Sequence, residues 1–332
     1  MKQIAVIGAG AWGTAFALHL VRTGKQVLLW VYEEDLAEYM KLHRENKDYL
    51  PGFILPDSID FTSDLTSAAR YSSDVVVAMP SFALRSTIER ISAELTGKRL
   101  LVLTKGIERG TFLGMDKVVE QVVGKNTCSI GVLSGPSFAK EVANGDFTAS
   151  VIASRDKETA LYFQQNIHSE TFRVYISDDV GGVEIGGALK NVMAIGTGII
   201  EGLHLGMNTQ AAFLTRALAE MKRLGKAMGA VETTFMGLSG MGDLVLTSYG
   251  SLSRNRMFGI ELAKGERPAD LIQGRKNVVE GYYSIDAAYN LSRRLGVTMP
   301  ITEQLYKIIY EGKEIKASFH DIIHREFKKE AD

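Results

Sequence analysis

The sequence predicts an α/β protein: a doubly wound, parallel sheet in the first part of the chain, then an all-helical second domain. Three observations predict it. Short β-branched runs alternate with amphipathic stretches up to about residue 180, helical periodicity dominates from there on, and a glycine-rich turn joins the first strand to the first helix. At 332 residues the chain exceeds the usual size of one hydrophobic core, so two domains are expected, divided as 1–180 and 181–332.

Taken in order, buried strands are expected at residues 4–7, 27–30, 74–79, 100–104 and 129–133, where apolar residues run together. Amphipathic helices are expected between them at 14–22, 35–44 and 83–95. Gly24 falls just past the first helix, where a left-handed cap belongs. Apolar strands separated by helices imply a parallel sheet covered on both faces, and crossover handedness makes it doubly wound. Past Asp179 the periodicity predicts helices at 183–200, 209–228, 254–263, 283–295 and 302–310, with few strand-like runs. Residues 325–332 are a charge run and read as a solvated tail.

Composition removes several function classes. Apolar residues make up 45% and charged residues 23%, as in ordinary globular proteins. Lys plus Arg (38) nearly balances Asp plus Glu (39), so no overall field favours nucleic acid or an anionic membrane. An anionic ligand must be caught by a local site. Cys128 is the sole cysteine, which excludes an internal disulfide and a cysteine zinc cluster. The six histidines have no paired-ligand spacing, so no metal site is expected. Lys2 leads straight into a strand-like run that ends at a glycine turn, so no secretory signal is expected. The apolar stretch 185–200 carries Lys190 and is followed by Glu201, a poor membrane span. The cytoplasm is the expected location.

The glycine turn reads Gly8-Ala9-Gly10-Ala11-Trp12-Gly13, a GxGxxG pattern after a strand and before a helix. Gly8 suits the tight turn, Gly10 admits a pyrophosphate, and Gly13 lets helix and strand pack closely. Free amides at the helix start then meet the phosphates with a favourable dipole. Trp12 covers the dinucleotide or simply fills the turn. The second strand leads to Tyr32, Glu33 and Glu34, about 20 residues beyond the glycines, where an acidic residue takes ribose hydroxyls and repels a 2′-phosphate. That leans towards NAD(H) over NADP(H). The alternative is that both acids merely favour the dipole of the next helix.

Lys190 is the only charged residue in its apolar run, with Asn191 beside it and Gly186, Gly187, Gly196 and Gly198 around it. Burial lowers the pKa of such an ammonium towards working pH and suits it to proton transfer, unless it snorkels to water. Lys105 follows a strand end, where open α/β sheets bind ligands. Ser134-Gly135-Pro136-Ser137 is a turn at the next strand end. Asp243 and Thr247 share a face if their segment is helical, and Arg254 is a natural phosphate fork. Bland alternatives stand beside each: a surface lysine, a helix cap at Asp243, a solvated ion pair at Arg254.

At these residues the chain resembles the soluble, bacterial-type NAD(P)-dependent glycerol-3-phosphate dehydrogenases. GAGAWGTA at 8–15, TKGIE at 104–108, SGPSFAKE at 134–141, LKNVMAIGTGI at 189–199 and GMGDLVLT at 240–247 all look like that family. So do SRNRMFG at 253–259, VVEGYYS at 278–284 and MPITEQLY at 299–306, in the same order. The resemblance implies a Rossmann-type domain followed by a helical domain like that of 6-phosphogluconate dehydrogenase. It implies hydride transfer between NAD(P)H and dihydroxyacetone phosphate, supplying glycerol 3-phosphate for phospholipid synthesis. Lys190 would be the proton donor and acceptor, with Lys105, Asp243 and Thr247 completing the reacting site. Gly135, Ser137, Asn191, Ser253, Arg254 and Asn255 would line the substrate pocket with Lys105, Lys190 and Asp243. Gly8, Gly10, Ala11, Trp12, Gly13, Tyr32, Glu33, Lys105, Ala139, Arg254, Val278 and Glu280 would serve the cofactor. Tyr32 stands where the family is often basic, which sets its frequent NADPH use against this chain. A two-domain dehydrogenase of hydroxy acids or ketoacids, and an NAD(H) sensor without chemistry, are the alternatives. Second domains of this build often pair, but no sequence feature fixes a homodimer.

Overall fold

The computed structural model describes residues 2–125, 127–273 and 278–324; the charged run 325–332 lies outside them. Strand β1 (Gln3–Ile7) sits inside the sheet, and its side chains alternate between two dry faces. Ile4 and Val6 join one apolar cluster with Phe16 and Leu20, whereas Ala5 and Ile7 join another with Val75, Val77 and Leu84. Burial on both sides is why the run shows no polar alternation.

The remaining strands are β2 (Gln26–Trp30), β3 (Glu45–Asn46), β4 (Leu50–Ile54), β5 (Ile59–Thr62), β6 (Asp74–Val77), β7 (Arg99–Val102), β8 (Ser129–Ser134), β9 (Thr148–Ala153) and β10 (Phe172–Ser177). The large sheet runs β10-β9-β8-β7-β6-β1-β2-β5, and β3 and β4 form a separate antiparallel pair. The chain winds outward from β1 through β2 to β5, returns to β6 beside β1, and then winds the other way. That reversal is the switch point where open α/β sheets leave a crevice beyond their carboxyl ends. The architecture is the expected doubly wound, Rossmann-type sheet.

One expectation fails: the sheet is not wholly parallel. Strand β9 pairs antiparallel with β8, and β10 follows β9 in parallel. The connection 135–147 holds only the short helix Ala139–Asn144 and stays at one end of the sheet. The chain therefore re-enters beside β8 in the reverse direction, without a crossover. Strands β5, β9, β10 and the small pair were not anticipated from the sequence.

The expected first-half helices form at Ala11–Arg22, Glu34–His43 and Ser81–Glu89, and Leu65–Arg70, Met115–Val123 and Lys157–Ile167 join them unanticipated. The run expected over 83–95 is broken at Ile91 (φ −127°) and resumes as a 3₁₀ turn, Ser92–Leu95. Gly24 takes the left-handed backbone expected of it (φ 79°).

Helix Val180–Gly202 is the axis of the second half, capped by Asp179, whose Oδ1 accepts from Gly182 N at 2.9 Å. Its length and apolarity would suffice to cross a membrane, yet its most apolar stretch is entirely buried inside the protein. Helix Arg254–Ala263 crosses it backbone to backbone. A Cβ on Gly198 would lie 2.0 Å from Arg256 O, and one on Gly259 2.1 Å from Ile195 O. Close packing thus offsets the helix cost of glycine. Helices Met207–Ala227, Glu280–Leu295 and Pro300–Tyr310 complete the expected set.

Candidate active site

Three segments converge where the sheet meets the helical half. Lys105 follows β7, Lys190 projects from helix Val180–Gly202, and Asp243 opens helix Asp243–Tyr249 after a π-helical turn at Leu238–Gly242. Such widened turns recur at functional sites. The Asp243 side chain is 0% exposed, against 11% for Lys190 and 15% for Lys105, so the anion is enclosed and both cations meet the cleft. Lys190 Nζ donates to Asp243 Oδ1 at 2.5 Å and Lys105 Nζ donates to Oδ2 at 2.6 Å. Lys105 Nζ also donates to the Gly135 carbonyl at 3.1 Å. Thr247 lies one turn along from Asp243, and its Oγ1 reaches Oδ1 at 3.4 Å. The cap position of this helix is Gly242, so Asp243 is not the capping residue that the bland alternative required.

Two cations share one carboxylate in a poorly hydrated place. Burial lowers the Lys190 pKa most, Asp243 pushes it back up, Lys105 pushes it down again, and the result is about 8. Burial therefore outweighs the Asp243 charge. An ammonium with that pKa is protonated at neutral pH and able to release its proton. Gly187 makes room for the neighbouring stems: a Cβ there would lie 2.7 Å from Ser134 Oγ and 3.5 Å from Lys105 Cδ.

Of the other expected substrate residues, only Gly135 bonds a member of this cluster; the rest are held as follows. Gly135 holds a left-handed backbone (φ 136°) against β9, and Ser137 Oγ donates to its carbonyl at 3.0 Å. Ser253, Asn191 and Asn255 are committed to bracing the helices. Ser253 Oγ accepts from Arg256 N at 3.2 Å and caps helix Arg254–Ala263. Asn255 Nδ2 donates to Asn191 Oδ1 at 2.8 Å, and Asn255 Oδ1 accepts from Gly281 N at 2.9 Å. Arg254 reaches solvent at the helix start and makes no hydrogen bond or ion pair among the described residues. Partial loss of hydration lowers its pKa, and the Glu280 charge opposes that.

Glu280 ties the two halves together. Its carboxylate accepts from Ser81 N at 3.2 Å and Ser81 Oγ at 2.9 Å, at the start of the helix that follows β6. Burial raises its pKa while the Ser81 bonds and Arg254 lower it. Sequence reasoning missed Ser81; the proline-serine step at a strand end was the available signal.

The glycine turn is shaped for a dinucleotide. Gly8 is left-handed (φ 116°), and a Cβ there would lie 2.4 Å from Ala78 O. A Cβ on Gly13 would lie 1.9 Å from Gly8 O, whereas Gly10 has nothing within 4 Å. Helix Ala11–Arg22 starts with no side-chain cap, leaving its first amides open beside that space. Trp12 packs on Phe16 at 5.6 Å, and its buried Nε1 has no partner among the described residues. Tyr32 is 72% exposed beyond β2. Glu33 is exposed, accepts from the Tyr49 hydroxyl at 2.7 Å and holds the cap position of helix Glu34–His43 without a side-chain cap bond. Ala139 begins its helix against the first-face core, and Val278 is half-buried just before helix Glu280–Leu295.

A dinucleotide-shaped turn on a doubly wound sheet, with a lysine-carboxylate-lysine cluster where that sheet meets the helical half, defines a nicotinamide-dependent dehydrogenase. The family models agree. The NAD-dependent glycerol-3-phosphate dehydrogenase N-terminus matches residues 3–160 and the corresponding C-terminus matches 179–320. The glycerol-3-phosphate dehydrogenase [NAD(P)+] of Syntrophotalea carbinolica is 46% identical over 99% of this chain and 100% of its own. That of Geobacter sulfurreducens is 45% identical over 99% of each. The crystal structure of glycerol-3-phosphate dehydrogenase from Coxiella burnetii superposes with a TM-score of 0.93 at 37% identity, covering 98% of this chain and 99% of that one. The chain belongs to the NAD-dependent glycerol-3-phosphate dehydrogenase family.

Proposed function

We propose that this protein interconverts dihydroxyacetone phosphate and sn-glycerol 3-phosphate with NAD(P)H, supplying glycerol phosphate for phospholipid synthesis in the cytoplasm. The observation that carries the chemistry is the buried Asp243 carboxylate holding Lys190 and Lys105 at the mouth of the cleft. Bound NAD(P)H supplies the hydride to the substrate carbonyl carbon. Lys190 holds a proton at Nζ and gives it to the forming alkoxide, then takes it back in the reverse direction. Lys105 is the second cation facing the developing negative charge. Asp243 keeps both ammonium groups oriented, and Thr247 steadies Asp243.

The phosphate belongs at the start of helix Arg254–Ala263. The Arg254 guanidinium is uncommitted to any described residue, and the Arg254 and Asn255 amides have no intrahelical acceptor. Binding energy collected there orients the remote carbonyl. Asn191, Ser253 and Asn255 hold that helix in place, and Gly135 with Ser137 forms the opposite wall. Gly8–Gly13 would hold the dinucleotide, with Ala11 and Trp12 at the helix start, Tyr32 and Glu33 serving the ribose, and Ala139, Val278 and Glu280 completing its site. Glu33 favours NAD(H). The division at residue 180 puts the nucleotide fold on one side of the cleft and Lys190, Asp243 and Arg254 on the other.

The test is to mix purified protein with dihydroxyacetone phosphate and follow NADH and NADPH oxidation in parallel. Rapid oxidation with a preference for NADH is expected. Silence from folded protein that still binds the dinucleotide would redirect the assignment to hydroxy acid and ketoacid substrates, whose carboxylates also suit Arg254.

A further inference from the structure

Lys105 reaches the reacting cluster from a loop that runs on to Gly114, and a buried acid outside the cluster holds that loop. A bridge between Ile107 and Gly114 folds the loop back on itself, so its far end lies two residues from Lys105. Ile107 is 4% exposed and packs into the apolar cluster of the helical half. Helix Met115–Val123 then begins with no side-chain cap from its own cap residue, Gly114.

Glu184, on the helix that carries Lys190, supplies the missing acceptor. Its Oε1 accepts from Asp116 N at 2.9 Å, an amide with no intrahelical partner. Glu184 is 8% exposed, and Gly114 leaves it room: a Cβ there would lie 2.1 Å from Glu184 Oε2. Two charged groups face it, the Asp116 carboxyl that hydrogen-bonds it and Arg155, which also binds Asp116 Oδ2. Burial first, then the Asp116 charge, raises the Glu184 pKa well above the usual carboxylate range, and a neutral carboxyl can accept from the amide while donating to Asp116. Along one helix, therefore, Glu184 holds the loop end, Gly187 admits the Lys105 stem and Lys190 meets Asp243. Another tie of the loop, Arg109 Nε to Asp286 Oδ2 at 2.7 Å, has a half-exposed arginine and is weakened by water.

We propose that Glu184 is a positioning residue for the reaction: its bond to the Asp116 amide fixes the Lys105 loop on the Lys190 helix and so sets the spacing of the two ammonium groups on Asp243. The proposal rests on the dehydrogenase reading above.

Two substitutions test it. Glu184→Met fills the space without an acceptor, whereas Glu184→Gln keeps an acceptor for the Asp116 amide and a donor for its carboxylate. With dihydroxyacetone phosphate and NADH, Glu184→Met should lower kcat by about tenfold or more and leave the KM for NADH within about twofold. A retreating Lys105 also ceases to depress the Lys190 pKa. The declining limb of the pH profile should therefore rise by about one unit. Glu184→Gln should keep kcat within about twofold and leave the limb in place. Gly114→Ala, at a backbone (φ −64°) that suits alanine, presses on the same contact from the loop side and should move the limb the same way, even if Glu184→Met does not fold. Competitive acetylation of Lys105, read by mass spectrometry, needs no turnover and should run about threefold faster in Glu184→Met and in Gly114→Ala. An unmoved limb, unchanged labelling, or a Gln variant as impaired as the Met variant overturns the proposal. Silence of the unaltered protein towards dihydroxyacetone phosphate would instead fault the dehydrogenase reading, and the labelling would still decide whether Glu184 places Lys105.

Discussion

Replacing Asp243 with asparagine keeps the shape of the site and removes the charge that holds two ammonium groups at 2.5 and 2.6 Å. Opposite unit charges in contact near a protein surface interact by roughly 4 kcal/mol at an effective dielectric of about 20, which is about 3 pKa units. The Lys190 pKa, about 8 with Asp243 present, should then fall to about 5, and repulsion from Lys105 acts in the same direction. At pH 7 the protonated fraction drops from about nine-tenths to about one-hundredth. Turnover of dihydroxyacetone phosphate should fall by about 100-fold at pH 7, with its declining limb moved from near pH 8 to near pH 5. Substrate reduction measured by loss of nicotinamide absorbance from pH 5 to 9 reads both quantities, and circular dichroism checks the fold. A variant that loses activity while its limb stays near pH 8 would refute the electrostatic role of Asp243. Glycerol 3-phosphate oxidation by the unaltered enzyme, which needs neutral Lys190, should instead rise through pH 8.

Lys190→Ala should abolish turnover and leave dinucleotide binding within about twofold; loss of both, or of neither, counts against the proton-donor role and would reopen the sensor reading. Glu33→Arg should raise NADPH use relative to NADH by about tenfold, read as the ratio of kcat/KM values, because it exchanges a carboxylate for a phosphate fork; an unchanged ratio would mean Glu33 serves only Tyr49. The two glycines separate binding from folding. Gly10→Ala should shift stability by less than about 1 kcal/mol yet weaken dinucleotide binding at least tenfold, whereas Gly13→Ala should cost about 1–3 kcal/mol in denaturant unfolding. His19 is buried with its pKa lowered from 6.5 to about 4, mainly by burial, while Nε2 bonds Ile167 O at 2.8 Å. The unfolded chain binds the extra proton first, so stability should decline as pH falls from 6.5 to 4, by up to roughly 3 kcal/mol. Urea midpoints across that window should flatten in His19→Gln.

Much of this was legible because local rules and burial agreed. β1, β2 and β6 to β8 announced themselves as apolar runs dry on both faces, and the Gly8–Gly13 turn needs glycine at two positions for space that the structure shows to be absent. The reversal at β9 was not legible, since strand direction depends on where a connection travels and residues 135–147 contain no signal for that. β10 is an edge strand with Phe172 and Val174 buried and Arg173 and Tyr175 exposed, a period-2 pattern short enough to pass as loop. At the site, sequence spacing could pair only Asp243 with Thr247. The convergence of Lys105, Lys190 and Asp243 is tertiary, and so is the commitment of Ser253, Asn191 and Asn255 to bracing bonds.

The reacting cluster and the junction between the two halves are one structure, and that constrains both. Lys105 comes from the sheet, while Lys190 and Asp243 come from helices beyond residue 179. Breaking the contact between the halves would free one ammonium and leave the buried carboxylate with the other. Unpairing a buried charge is far more costly than the net worth of the pair. Glu280 is a second tie between the halves, reaching back to Ser81 beside Gly106. The bonds that tie the two halves together therefore include the charges that would do the chemistry. In the proposed reaction, an alkoxide forming beside Lys190 would draw on that ammonium only by loosening its hold on Asp243. Burial, opposed by the Asp243 charge, sets the Lys190 pKa at about 8, and the bond to Asp243 would couple proton release to the grip between the halves.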